Sequence, residues 1–201
     1  AGRPLEVFRE NSNGAGGISF DRQGRLLLCE RDRVTRREKD GTITVLAEKV
    51  APNDVVHSID GSSYFTAESG VYQITRQGRV RLVASDPVKP NGIALSANQQ
   101  ILYVASTVGS RMRRYLVAPD GSLVRGSTLP KAAHFGPDGL KTDEQGNLYV
   151  AAQGGVWVFD SSGRHVRTIA TPEEPSNVGW GDDYRTLYIT ARTSVYRARV
   201  G

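Results

Sequence analysis

Lys89 to Ser106, KPNGIALSANQQILYVAS, reads as two short strands joined by a turn. Pro90-Asn91-Gly92 opens it, and Ile93 and Leu95 then fall on one face of an alternating strand, the period-two pattern of a half-buried β-element. Ala97 to Gln100 is polar and turn-forming, and Ile101 to Ser106 returns as a second strand. The plan is not unique to this stretch.

Second-strand segments recur as Leu26–Glu30 (LLLCE), Ser63–Ala67 (SYFTA), Leu102–Ser106 (LYVAS), Leu148–Ala152 (LYVAA) and Leu187–Ala191 (LYITA), their starts separated by 37, 39, 46 and 39 residues. A turn signal precedes each, at Asp21–Gly24, Ser58–Gly61, Ser96–Gln99, Asp143–Gly146 and Gly181–Tyr184. A third strand follows each, at Arg33–Arg37, Gly70–Ile74, Arg111–Val117, Gly155–Phe159 and Ser194–Val200. Four units then turn again and give a fourth strand, Thr42–Ala47, Arg79–Ala84, Ser122–Thr128 and Arg164–Ala170. Units of about 40 residues with four strands apiece are the signature of β-propeller blades packed face to face around a channel. The reading is an all-β chain, one propeller domain over residues 1–201, with five four-stranded units visible. The fifth unit lacks its own fourth strand. Pro4–Glu10 (PLEVFRE) alternates correctly to supply it and close the ring, or else is the last strand of a further blade whose other strands are not in the chain.

Composition agrees with that class and narrows the partners. The chain is 38% hydrophobic with 22 glycines, and no stretch sustains a 3.6-residue apolar period. A formal charge of +5 permits an anionic partner, yet the arginines are spread along the chain. The densest groups, Arg31, Arg33, Arg36, Arg37 and Arg111, Arg113, Arg114, sit in strand context, where alternate residues face solvent; no nucleic-acid partner is expected. No apolar run reaches the ~18 residues of a membrane helix, so no membrane partner is expected either. The lone Cys29 excludes an intrachain disulfide and reads as a small buried hydrophobe. Tyr103, Tyr149 and Tyr188 share one strand phase and, with Trp157 and Trp180, read as packing between blades. The chain begins at Ala1 and its only methionine is Met112, so the expectation is a processed, truncated or partial product. The expected compartment is the cytoplasm, or the periplasm or exterior where a signal peptide has been removed.

First strands of propeller blades start beside the channel, and here they start with polar residues: Pro52-Asn53-Asp54, Pro90-Asn91-Gly92, Pro137-Asp138-Gly139 and Ser176-Asn177-Val178. Asn53, Asn91, Asp138 and Asn177 are read in one phase, with Gly16 at the equivalent place in the first unit. P-N-G and P-D-G also form turns in their own right, so a structural role for these tripeptides stands beside a functional one. Convergence at one mouth would gather amide oxygens around a single carboxylate, an oxygen-only set suited to one divalent cation: Ca²⁺ foremost, with Mg²⁺, Zn²⁺ or Mn²⁺ as alternatives. His134 lies just ahead of Pro137 and Glu30 ends its second strand, which places both as candidate substrate contacts at the mouth. His57, His134 and His165 have no metal-motif spacing, and no nucleophile elbow or phosphate loop occurs.

Taken together, PNDVV (Pro52–Val56), PNGIAL (Pro90–Leu95), PDGL (Pro137–Leu140), GGVWVFD (Gly154–Asp160) and TLYITA (Thr186–Ala191) resemble the SMP-30/gluconolactonase/luciferin-regenerating-enzyme family over nearly the whole chain. The resemblance implies a six-bladed propeller with one divalent cation in the channel, and hydrolysis of lactones. It also implies Asn91 and Asp138 as metal ligands, Asn53 against metal and substrate, and Asp138 as the base that activates or relays the attacking water. In the mechanism it implies, the cation polarises the lactone carbonyl and acidifies a bound water.

The departures are specific. The family's metal-binding Glu of an E-G-P motif has no counterpart, Gly16 stands where its second blade has Asn, and Arg31 stands where many members have His. The chain also runs straight from Phe65-Thr66-Ala67-Glu68 to Gly70-Val71-Tyr72, where the family carries an insertion. These point either to a trimmed relative short of most of one blade and some loops, or to residues outside the sequence. The leading expectation is a metal-dependent hydrolase of sugar-type lactones. The alternative is a non-catalytic propeller that binds a ligand or protein at its mouth. A strictosidine-synthase-like propeller fits the P-N-D, P-N-G and P-D-G set less well.

Overall fold

The computed structural model describes residues 6–85, 87–129, 136–181 and 184–200. Its strands fall into five antiparallel meanders. The first is β1 (Ile18–Phe20), β2 (Leu26–Cys29), β3 (Arg33–Arg37) and β4 (Ile43–Glu48). The second is β5 (Pro52–His57), β6 (Ser63–Ala67), β7 (Gly70–Ile74) and β8 (Val80–Ala84). The third is β9 (Pro90–Leu95), β10 (Ile101–Ser106), β11 (Arg111–Val117) and β12 (Leu123–Thr128). The fourth is β13 (Leu140–Thr142), β14 (Leu148–Ala152), β15 (Gly155–Phe159) and β16 (His165–Ala170). The fifth has three strands, β17 (Pro175–Gly181), β18 (Thr186–Ala191) and β19 (Val195–Arg199).

Hairpin turns at one end of the sheets are built by aspartates that replace missing backbone partners, the Asx-turn device. Asp21 accepts from the backbone N–H groups of Gln23 and Arg25, both at 2.9 Å, and from the Arg25 side chain at 2.7 Å. Asp143 does the same for Asn147. In the matching turn of the second sheet Asp60 takes the N–H and hydroxyl of Ser62, and at the next turn along Asp40, Asp120 and Asp160 take those of Thr42, Ser122 and Ser162. The opposite end carries the β2–β3-type loops and the links between blades. That end is the mouth.

Four buried clusters hold the blades together, each between successive sheets. Leu27, Cys29 and Val34 meet Val55, Phe65 and Ile74. Tyr64 and Val71 meet Ile93, Leu102 and Val104. Tyr103, Ala105 and Met112 meet Leu140, Leu148 and Val150. Tyr149, Val156 and Val158 meet Val178, Leu187 and Ile189. Each fully buried Val, Leu, Ile or Phe contributes about 1.5–3 kcal/mol, so these seams dominate the cohesion between sheets. Cys29 lies in the first seam as a buried hydrophobe, as expected.

Among the described residues, no such cluster joins the fifth sheet to the first, and the array is an open arc. The second residue of each LYxxx-type segment faces the following blade, so Leu27, Tyr64, Tyr103 and Tyr149 are buried while Tyr188 is 40% exposed. Tyr188 therefore departs from the expected packing role because it has no following blade. At the other end Phe20 (65% exposed), Ile18 and Val45 lie open on the first sheet.

Pro4–Glu10 does not close the ring. Its residues up to Leu5 lie outside the described residues, and Glu6–Glu10 is not a strand. The segment crosses the outer face of the first sheet instead, with Phe8 against the Arg37 guanidinium at 5.0 Å and Arg9 paired to Glu30 at 3.0 Å.

Candidate functional site

Strand register settles which polar residues share a position. Ile18 pairs with Leu28, Val55 with Phe65, Ile93 with Val104, Leu140 with Val150 and Val178 with Ile189. Counting back two residues from each aligns Gly16, Asn53, Asn91, Asp138 and Ser176. Asn177 thus belongs one position deeper, beside Gly17, Asp54, Gly92 and Gly139, which corrects its expected place in the ring. Its Oδ1 accepts from the Val178 N–H at 2.8 Å just as Asp54 Oδ1 accepts from Val55 at 2.9 Å. The sequence pattern missed this because the P-N-G and P-D-G spacing has no proline next to Asn177; Pro175 stands one residue earlier.

Register shifts interrupt the ladders at these very residues, between Pro52 and Val55, opposite Pro90 and Ile93, and between Pro175 and Asn177. A bulge bends the strand and re-aims the side chain it carries, which turns Asn53 and Asn91 out of the sheet towards the mouth. The deeper layer lets the blades approach. A Cβ on Gly92 would overlap the Asp138 carbonyl oxygen, and one on Gly139 would overlap the Asn177 amide.

Asn53 and Asn91 line one cavity of about 370 Å³, with Glu68, Lys89 and Thr107 on its walls. Asn91 donates through Nδ2 to Thr107 Oγ1 at 2.9 Å, and Thr107 passes its own proton to the Pro137 carbonyl at 2.8 Å. That relay fixes the third blade to the fourth beside Asp138, whose carboxyl feels the Asn91 side chain. Burial pushes the Asp138 carboxyl up to about 6, the negative charges of Asp54 and Glu174 add to the rise, and the Asn91 side chain opposes it. Asp54 is buried below, its Oδ2 accepting from the Ile93 N–H at 3.3 Å and its N–H donating to Thr66 Oγ1 at 3.1 Å. Thr66 in turn donates to the Asn91 carbonyl.

An amide–carboxylate set with this electrostatic deficit fits a divalent cation. Asn53 and Asn91 offer neutral oxygens to their shared cavity, Asp138 lies beside Asn91 without itself lining it, and among the described residues no ion pair is made by Asp138, whose charge a bound Ca²⁺ or Mg²⁺ would balance. Among the described residues no three His, Cys, Asp or Glu side chains converge as a metal cluster, so the set is amide-rich.

Glu30 is placed elsewhere. It is 1% exposed, with Arg9 and Thr35 on one oxygen (3.0 and 2.9 Å) and Asn13 and Arg33 on the other (3.2 and 2.8 Å). Its oxygens anchor the N-terminal segment, and Glu30 is not among the residues lining the cavity of Asn53 and Asn91. His134 lies outside the described residues. Sequence reasoning did not single out Thr66, Thr107, Lys89 or Glu68; Thr66 and Thr107, at or just beyond the ends of second strands, carry no motif of their own.

This fold and mouth are shared with known proteins. The description SMP-30/Gluconolactonase/LRE-like region matches residues 6–193. The chain belongs to that family. It is 29% identical over 232 aligned positions to a gluconolactonase of Zymomonas mobilis, covering 98% of this chain and 65% of that protein, so it spans just under two thirds of that relative's length. The structure of XC5397 from Xanthomonas campestris, described as a gluconolactonase, superposes with a TM-score of 0.85 at 28% identity, over 92% of this chain and 71% of that one. Regucalcin from Agrobacterium tumefaciens, described as a calcium-binding protein, shares the fold at a TM-score of 0.75 and 20% identity, over 87% of this chain and 67% of that one. The match begins in the segment ahead of the first sheet and ends in the fifth, and the cavity of this SMP-30-type propeller's mouth is lined from the second and third.

Proposed function

We propose that this chain carries the lactone-opening site of a metal-dependent hydrolase of the gluconolactonase type. The observation that carries it is the meeting of Asn91 and Asp138: an amide that lines a cavity with Asn53 acts on a half-buried carboxylate of the next blade and lowers its pKa against burial. The relatives named gluconolactonase support the substrate class.

Asn53, Asn91 and Asp138 would hold a divalent cation, Ca²⁺ foremost; such an ion supplies polarisation of the lactone carbonyl and acidification of a water. Thr107 orients the Asn91 amide so that its Oδ1 is left for coordination. Asp138, with its carboxyl at about 6, stands ionised at neutral pH and accepts the proton of the attacking water. Water oxygen bonds to the carbonyl carbon, the ring C–O bond breaks, and the proton returns to the ring oxygen as it becomes a hydroxyl. Lys89 and Glu68 on the cavity wall offer a donor and an acceptor to the hydroxyls of a sugar lactone.

The test is release of acid from D-gluconolactone with Ca²⁺ or Zn²⁺ and with chelator, beside calorimetric cation binding. Hydrolysis that needs the cation and falls about 100-fold or more in Asp138→Ala is expected. Cation binding with no hydrolysis above background in the unaltered chain would instead establish the non-catalytic propeller.

A further inference from the structure

At the end of the sheets opposite the mouth, between the second and third blades, a cavity of about 440 Å³ is lined by Arg76, Arg79, Arg81, Asp60, Asp120 and Gln73. Arg79 closes the turn just ahead of β8 and Arg81 is the second residue of that strand, two positions on. The Arg81 guanidinium is fixed from behind: Nε donates to Gln73 Oε1 at 2.8 Å and Nη2 to the Asp120 carbonyl at 2.7 Å. Gln73 is buried, and its amide rests on the Tyr64 hydroxyl, which donates to the Gly121 carbonyl at 2.9 Å. Gly121, at φ +79°, leaves the room that the Gln73 amide occupies. A buried polar relay of this kind preorganises one guanidinium and leaves its other edge to the cavity. Among the described residues no side-chain hydrogen bond holds the Arg76 or Arg79 guanidinium. Asp60 and Asp120 each tie one oxygen to the serine of their own turn, at 2.7 and 2.6 Å from the hydroxyl.

We infer that this cavity is a second small-molecule site, and that it takes a polyhydroxylated monoanion of the sugar-acid class. Three guanidiniums against two carboxylates leave one excess positive charge, which matches one carboxylate on the ligand. Forked guanidinium donors suit a carboxylate bidentately. The two aspartates are acceptors for neighbouring hydroxyls and repel a compact dianion such as phosphate. A neutral sugar would satisfy the aspartates and leave the guanidiniums without a counterion.

The site is separate from the mouth, and the experiment keeps them apart. Gluconate, glucose and inorganic phosphate are titrated calorimetrically into an Asn91→Ala/Asp138→Ala background, with circular dichroism to show that each variant is folded. Gluconate binding is expected there, with glucose and phosphate at least about tenfold weaker, and about tenfold or greater loss on adding Arg76→Gln and Arg79→Gln, both in a surface turn. Loss of gluconate binding in the background alone, its persistence after the arginine changes, or equal binding of glucose or phosphate would each overturn the proposal. Hydrolysis at the mouth is read separately and does not bear on any of these outcomes.

Discussion

Asp138 and Glu30 are carboxylates at the same end of their sheets, and their surroundings push them in opposite directions. Burial and two neighbouring acids raise Asp138 to about 6. Its neutral form is favoured in the fold, so ionisation costs stability progressively as pH rises from 3.8 to about 6, and fully above that. Asp138→Asn in metal-free protein should therefore be neutral to stabilising by about 1–2 kcal/mol at pH 7.5 by urea unfolding, while abolishing cation binding. Burial would raise Glu30 too, but hydrogen bonds from Arg33, Arg9, Thr35 and Asn13 outweigh it and hold the carboxyl at about 2. Its contribution is present above 4.5 and is lost as pH falls from there towards 2. Glu30→Gln should cost about 2–4 kcal/mol at pH 7 and flatten the acid limb of a stability–pH curve. An unchanged acid limb would show that Glu30 is not the anchor.

At the scale of the element, the first strands decide whether blades can approach. Gly92→Ala places a methyl against the Asp138 backbone and should destabilise by about 1–3 kcal/mol and weaken cation binding, whereas Gly16→Ala, with open space around its Cβ, should do neither. Differential scanning calorimetry with and without Ca²⁺ measures both. The strands themselves were legible from alternation and turn chemistry: LYVAS and LYVAA announce buried second strands, and D-x-x-G announces the hairpins at Asp21–Gly24, Asp143–Gly146 and Asp160–Gly163. Bulges were not. A bulge shifts register by one residue without changing composition, which is why Asn177 was read one place too near the mouth. The surroundings of Glu30 were hidden for a related reason, since Arg9 and Asn13 of the leading segment reach it only in the fold, beside Arg33 and Thr35 of β3.

At the scale of the molecule, the blade count was readable because each unit repeats the same local plan, while the fate of the chain ends was not. Pro4–Glu10 alternates like a strand, but alternation does not specify a pairing partner, and part of the segment is drawn across the first sheet by Arg9 and Phe8. Each blade touches only its neighbours, so stability should behave as a sum of sheet and seam terms, as in linear repeat proteins. Native-state hydrogen exchange should then be slowest in β9–β11 and fastest in the first and fifth sheets, whose outer faces are uncovered. Uniform protection across all five sheets would refute that gradient. Both ends of the arc are bare, at Phe20 (65% exposed) on the first sheet and at Tyr188 (40%) on the fifth. Loss of structure thus begins at the two outer blades. Asn53, Asn91 and Asp138 sit on the three middle blades, so the outer blades insulate the mouth: heat or protease can erode the bare ends before these three side chains lose their footing.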